Sequence, residues 1–147
     1  MKLIPFEPCH LKEFIDYAGQ DALVLAAKDR DLKDIAGRGI AFTGIVQNAH
    51  GQRIVGCGGL LEANPFRATA WAVFQSGNPK DFVAIDRAVR RGLRDCTYKL
   101  IEAYVDPEAQ SAMRWVRLLG FELVRPYRPF FFPDGRGASE WALYKGE

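Results

Sequence analysis

The period of the apolar residues changes along this chain, and that change constrains the fold more than any single motif. From Ile40 to Ser76, three short stretches, "IAFTGIVQ", "QRIVGCGGLL" and "RATAWAVFQS", read as strands. The break "NAHG" supplies Asn48 and Gly51 as turn residues, so the first two strands form a β-hairpin. After "GNP" the period turns helical: "DFVAIDRAVRRGLRD" places Phe82, Ile85, Val89 and Leu93 on one face. Strand "YKLIEAYV", helix "DPEAQSAMRWVRLL" and strands "FELVRPYRPFFF" and "SEWALYKG" complete the chain, the last two divided by the turn "PDGRG". Neighbouring strands followed by strand–helix–strand alternation call for a mixed sheet, because a strand returned through a helix lies parallel to the one before it.

The N-terminal third adds a short strand, "KLIPFEP", and a helix, "HLKEFIDYA", with Leu11, Phe14, Ile15 and Ala18 on one side. A second helix, "DALVLAAKDRDLKDIA", ends at Gly37 and Gly39. The order is β-α-α-β-β-β-α-β-α-β-β, which predicts an α/β (α+β) domain over residues 1–147 with helices on both faces of the sheet. Asp81 is the expected N-cap of the "DFVAIDRAVRRGLRD" helix, and Pro107 falls in the first turn of the next. In that helix Ala112, Trp115, Val116 and Leu119 share a face, and Gly120 stops it.

A net charge of +2 and a charged share of 26% exclude a strongly basic nucleic-acid binder and a disordered chain. Apolar runs are too short and interrupted for a membrane span, and "MKLIPFEPCH" lacks the pattern of a secretory signal. Cys9, Cys57 and Cys96 form no C-x-x-C pair, and His10 and His50 are not spaced as metal ligands. They read as three reduced, mostly buried thiols in a cytoplasmic protein, with no metal site.

The element order, with "RIVGCGGL" in the hairpin and a helix ending in "LLGF", resembles the GNAT fold of acetyl-CoA-dependent N-acyltransferases. That resemblance implies a mostly antiparallel sheet of six to seven strands. "IEAYVDPEAQSAMRWVRLLGF", after "AWAVFQS" and "IDRAVRRGLR", is similar to the GNAT-like proteins of tailed bacteriophages and prophages. Some members of that group are internal virion or head–tail assembly proteins, and others carry an acetyltransferase-like label. Implied partners are phage structural proteins or a second copy of the chain, in the host cytoplasm or in the virion.

In GNAT enzymes a glycine-rich loop and a helix N-terminus hold the acetyl-CoA pyrophosphate on backbone N–H groups. The matching stretch here is "QSGNPKDFVA", which makes Gln75, Ser76, Gly77, Asn78 and Lys80 the candidate cofactor contacts. It departs from the family pattern: Gln75 and Gly77 stand at the wrong spacing, no second glycine follows, and Pro79 removes a donor. The family also carries an Asn, and seven residues later a Tyr that protonates the leaving thiolate. Those positions are Ala109 and Val116, neither of which offers a side-chain hydrogen bond. Glu62 and Glu102 are replacement candidates for a base, and Tyr104 and Tyr127 for an acid. The balance points to a protein of this fold with little or no acetyl transfer; the alternative is an acetyl-CoA-dependent enzyme acting on an amine.

Arg87, Arg90, Arg91 and Arg94 recur at i, i+3, i+4 and i+7 as a basic stripe. Its plain reading is a solvated face; its functional reading is an anionic partner, with nucleic acid the weaker choice because no aromatic residues interleave. Phe130, Phe131 and Phe132 cannot all face one core if they lie on a strand, so at least one is expected at the surface or under a neighbouring subunit.

Overall fold

The computed structural model describes residues 1–14, 34, 37–74 and 78–146. Its core is one seven-stranded sheet. The strands in chain order are β1 (Lys2–Pro5), β2 (Gly39–Asn48), β3 (Gly51–Asn64), β4 (Arg67–Phe74), β5 (Leu100–Val105), β6 (Glu122–Arg128) and β7 (Ala138–Tyr144). They lie side by side in the order β1-β2-β3-β4-β5-β7-β6. Every neighbouring pair is antiparallel except β4 and β5, as the helical crossover between them requires. The expected β-hairpin closes with Asn48 opposite Gly51, and Gly51 takes the positive φ (+113°) that the tight turn needs. Both edge strands carry a proline, Pro5 in β1 and Pro126 in β6, where a missing N–H costs no ladder bond.

Helix α1 (Pro79–Asp95) and helix α2 (Gln110–Leu118) cover one face of the sheet. Leu93 of α1 and Val116 of α2 join Leu60, Ala68, Ile101, Ala103, Phe121 and Trp141 in the main core. The helical faces read from the sequence hold in part: Ile85, Leu93 and Val116 are buried and Leu118 is exposed, but Phe82, expected on the same face as Ile85, is exposed. Gly120 ends α2 at φ +102°, letting the Phe121 N–H reach back to the Val116 carbonyl at 3.2 Å. On the other face a 3-10 helix, Pro8–Phe14, starts a smaller core in which Phe6 and Leu11 pack on Cys57, Trp71 and Val73. The described helical elements therefore lie on both faces.

Several local expectations shift. The "HLKEFIDYA" segment begins as a 3-10 helix rather than an α-helix, and Ile15 and Ala18 lie outside the described residues, as does nearly all of "DALVLAAKDRDLKDIA". The cap of α1 is Asn78, not Asp81: its Oδ1 accepts from the Lys80 N–H at 3.0 Å, and Pro79 takes the first helical position. Helix α2 starts at Gln110, three residues past Pro107, because Asp106 first makes a side-chain turn, accepting from the Glu108 N–H at 2.9 Å. Strand β6 ends at Arg128, so the three phenylalanines sit in a loop where Phe130 (φ +53°) is exposed and Phe132 is buried. Cys9 is exposed, Cys57 buried and Cys96 half-buried, and all three are free thiols.

Candidate functional site

Strands β4 and β5 pair in parallel only from Arg67–Leu100 to Ala70–Ala103. Beyond that point β4 continues to Phe74 and β5 to Val105 without pairing to each other, so the sheet forks at the carboxyl ends of two parallel strands. Such a fork leaves backbone groups open and is where ligands enter mixed sheets of this kind. Helix α1 begins just past the β4 arm.

On the helix side the fork is closed by three rings. Phe74 at the end of β4, Phe82 in the first turn of α1 and Trp115 in α2 pack with centroids 5.4 to 6.0 Å apart. Asp86 holds the trio: its carboxylate accepts from Trp115 Nε1 at 2.8 Å and from Arg90 Nε at 2.9 Å. Burial alone would push the Asp86 carboxyl up, but the Arg90 and Trp115 hydrogen bonds outweigh it and hold the group below the usual carboxylate range.

The start of α1 offers little to a pyrophosphate. Among Pro79–Phe82, Pro79 has no N–H, the Lys80 N–H is taken by Asn78 Oδ1, and the Phe82 N–H bonds the Asn78 carbonyl at 3.2 Å. The Asp81 amide has no acceptor among the described residues, and Asp81 itself places a mostly buried carboxylate there, held by Arg53 at 2.8 Å. A carboxylate at that position already complements the helix dipole, and Arg53 neutralises its charge. Among the described residues, Pro79–Phe82 alone do not supply the run of free N–H groups that an acetyl-CoA pyrophosphate needs. Gln75, Ser76 and Gly77 lie outside the described residues, so of the candidate contacts only Asn78 and Lys80 are placed, and Asn78 is spent as the cap.

The replacement candidates do not converge. Glu62 lies on the helix side, where it accepts from the buried Tyr98 hydroxyl at 2.9 Å. Burial first, and then the Glu62 bond, push the Tyr98 hydroxyl up. Glu102 and Tyr104 alternate with the core residues Ile101 and Ala103, so they face the opposite side of the sheet. There Tyr104 donates to Glu102 at 3.0 Å, Arg67 Nε lies 3.3 Å from the same carboxylate, and Phe131 stacks on the Tyr104 ring at 4.4 Å. Burial and the Glu102 bond raise the Tyr104 hydroxyl to about 12, which makes it a poor proton donor near neutrality. Tyr127 is exposed on the edge strand β6, lying over Gly137. Ala109 sits at the start of α2 without a side-chain cap, and Val116 is packed into the main core.

The basic stripe on α1 is half consumed by its own surroundings. Arg90 binds Asp86 and the Leu118 carbonyl, and Arg94 binds Asp95. Arg87 and Arg91 have no ion-pair partner among the described residues.

One buried polar group beside the fork escaped the sequence reading. Trp71, the first β4 residue past the parallel pairing, is buried, and its Nε1–H has no hydrogen-bond partner among the described residues. A buried donor left unpaired costs about 1–3 kcal/mol. Its position could be foreseen only with the register of β4 against β5, which periodicity does not supply.

No protein-family model matches the chain, and no curated protein sequence does either. Solved structures do. Spermidine N-acetyltransferase of Vibrio cholerae, solved in complex with CoA and spermine, is 15% identical over 97% of this chain and 94% of its own, with a TM-score of 0.65. YncA of Salmonella typhimurium, solved with its cofactor acetyl-CoA, is 12% identical over 100% of this chain and 95% of its own, with a TM-score of 0.66. The smu.2055 protein of Streptococcus mutans is 16% identical over 98% and 99%, with a TM-score of 0.67. At such identities the likeness shows the fold: a GNAT fold, in a mixed seven-stranded sheet. None of these descriptions names a virion or assembly protein. No helix among the described residues is long and apolar enough to cross a membrane.

Proposed function

We propose that this chain is a GNAT-fold protein in which acetyl transfer is lost or much weakened, and that it works through protein contacts as a phage-type virion or assembly component. The start of α1 carries the first half of this reading. Among the described residues, Pro79–Phe82 offer one amide without an acceptor, beside a carboxylate clamped by Arg53, in place of the run of free N–H groups a pyrophosphate requires. Val116 in the core adds to it, since the general acid's position holds an aliphatic side chain. The second half rests on the resemblance of "IEAYVDPEAQSAMRWVRLLGF" to phage proteins. It is supported by the exposed apolar residues Leu123, Val124, Tyr127 and Phe130 along β6 and the loop after it. The partner is a phage structural protein or a second copy of the chain.

A second reading, an acetyl-CoA-dependent N-acetyltransferase acting on an amine, is favoured by the preserved β4–β5 fork and by the buried Trp71 indole beside it on β4, whose Nε1–H has no partner among the described residues. Calorimetric titration with acetyl-CoA separates the two. The first reading expects no binding at millimolar cofactor. Micromolar affinity that is lost in Lys80→Ala or Trp71→Phe would overturn it and establish the enzyme.

A further inference from the structure

Three ligand-bearing side chains outside the fork converge where the chain leaves β1. Glu7, Cys9 and His10 bring a carboxylate oxygen, Sγ and an imidazole nitrogen within 4.8 Å of one another. The 3-10 helix starting at Pro8 has three residues per turn, so Glu7 and His10 stack, and Glu7 Oε2 lies 3.5 Å from His10 Nε2. The imidazole is no loose surface ring. Its Nδ1 accepts from the Glu7 backbone N–H at 3.1 Å and lies 2.6 Å from Thr43 Oγ1, and the Phe6 ring packs edge-on against it at 6.2 Å. Thr43 is wholly buried on β2, so a rigid strand aims the ring, with Nε2 directed at the Glu7 carboxylate.

We propose that Glu7, Cys9 and His10 bind a divalent cation of the zinc class, with the fourth coordination position open to water. One sulfur, one nitrogen and one oxygen donor suit a borderline-soft ion, whereas calcium and magnesium take oxygen ligands. The thiolate and the carboxylate together balance the charge of the ion. On loading, the exposed Cys9 thiol loses its proton to solvent. His10 presents the Nε2 lone pair to the metal and carries its proton on Nδ1, where Thr43 Oγ1 accepts it. The Thr43 hydroxyl proton turns toward Cys57 Sγ at 3.5 Å. The Glu7 N–H, in an exposed residue, exchanges the imidazole for water. Thr43 thus acts as a positioning residue, holding the ring direction and accepting the Nδ1 proton in the loaded state, as partners of metal-bound histidines commonly do. The site adjoins the Phe6–Leu11–Trp71 cluster, so a bound ion would anchor the start of the chain on the sheet face opposite α1 and α2.

The test uses the full chain, stripped with chelator and titrated with Zn²⁺ against a chromophoric competitor, and separately with Co²⁺. One equivalent should bind with a Kd on the order of 1 µM or tighter, and Co²⁺ should show a thiolate-to-metal charge-transfer band. Cys9→Ser, at an exposed position that leaves the fold intact, should abolish the band and weaken Zn²⁺ by at least about 100-fold. Thr43→Val should keep the band and weaken binding by about 10- to 100-fold. Affinity unchanged in Cys9→Ser, absence of the Co²⁺ band, or loss of binding in Cys96→Ser would overturn the proposal.

Discussion

Replacing Asp86 by Ala tests whether one carboxylate clips α1 to α2. The side chain loses two bonds at once, to Trp115 Nε1 at 2.8 Å and to Arg90 Nε at 2.9 Å. A hydrogen bond to a charged group contributes about 1.5–3 kcal/mol. The Arg90 pair is an i,i+4 contact with a half-exposed guanidinium, which adds only about 0.3–0.5 kcal/mol. Asp86→Ala should therefore cost about 2–3 kcal/mol in urea unfolding, with the m-value unchanged. The corresponding fall in Tm is roughly 10 °C for a chain of this length. Asp86→Asn keeps an acceptor for the indole and loses the charge, so its cost should be about 1 kcal/mol. A double-mutant cycle with Trp115→Phe isolates the bond and should give a coupling of about 1–2 kcal/mol. The carboxyl is held below its ordinary value in the folded state. Its contribution is then present above the unfolded carboxylate pKa of about 3.9 and is lost as the pH falls through the lower folded value. The wild-type and Asp86→Asn stability curves should draw together in acid. Additivity within about 0.3 kcal/mol in the cycle, or parallel pH curves, would refute the clip.

Tyr104, raised to about 12 by burial and by Glu102, should contribute stability that is complete below pH 10 and lost as the pH rises toward 12. Phenolate absorbance followed together with unfolding checks this, and Tyr104→Phe should remove that part of the alkaline loss. Two glycines should respond in opposite ways to alanine. Gly92 lies inside α1 with nothing within 4 Å of an added Cβ, so Gly92→Ala should stabilise by about 0.5–1 kcal/mol. At Gly59 the same atom would stand 2.0 Å from the Ile40 carbonyl oxygen on the paired strand, and Gly59→Ala should cost about 3 kcal/mol or leave the chain unfolded. Thermal unfolding of both variants reads the contrast.

Most of the architecture is written locally. Apolar period separates "IAFTGIVQ" from "DFVAIDRAVRRGLRD", Asn48 and Gly51 mark the hairpin, and Gly120 marks a helix end, because each depends on backbone preference and burial within a few residues. The residues that would make the fork an active site were partly legible too: Val116 falls on the buried stripe of its helix, so its role as packing follows from spacing.

The distant partnerships were set only by tertiary structure. Asp81 reads as a cap until Arg53, 28 residues away, takes its carboxylate and Asn78 caps the helix instead. Glu62 and Glu102 look like interchangeable candidates until the pairing of β3, β4 and β5 turns them to opposite faces. Within a strand alternation fixes only relative facing; which side is which depends on register against a neighbour and on irregularities such as the one beside Glu62. His10 is the plainest case. Its spacing from His50 suggests nothing, yet the pairing of β1 with β2 carries it to Thr43, 33 residues on, because closing the sheet brings together groups that no local pattern links.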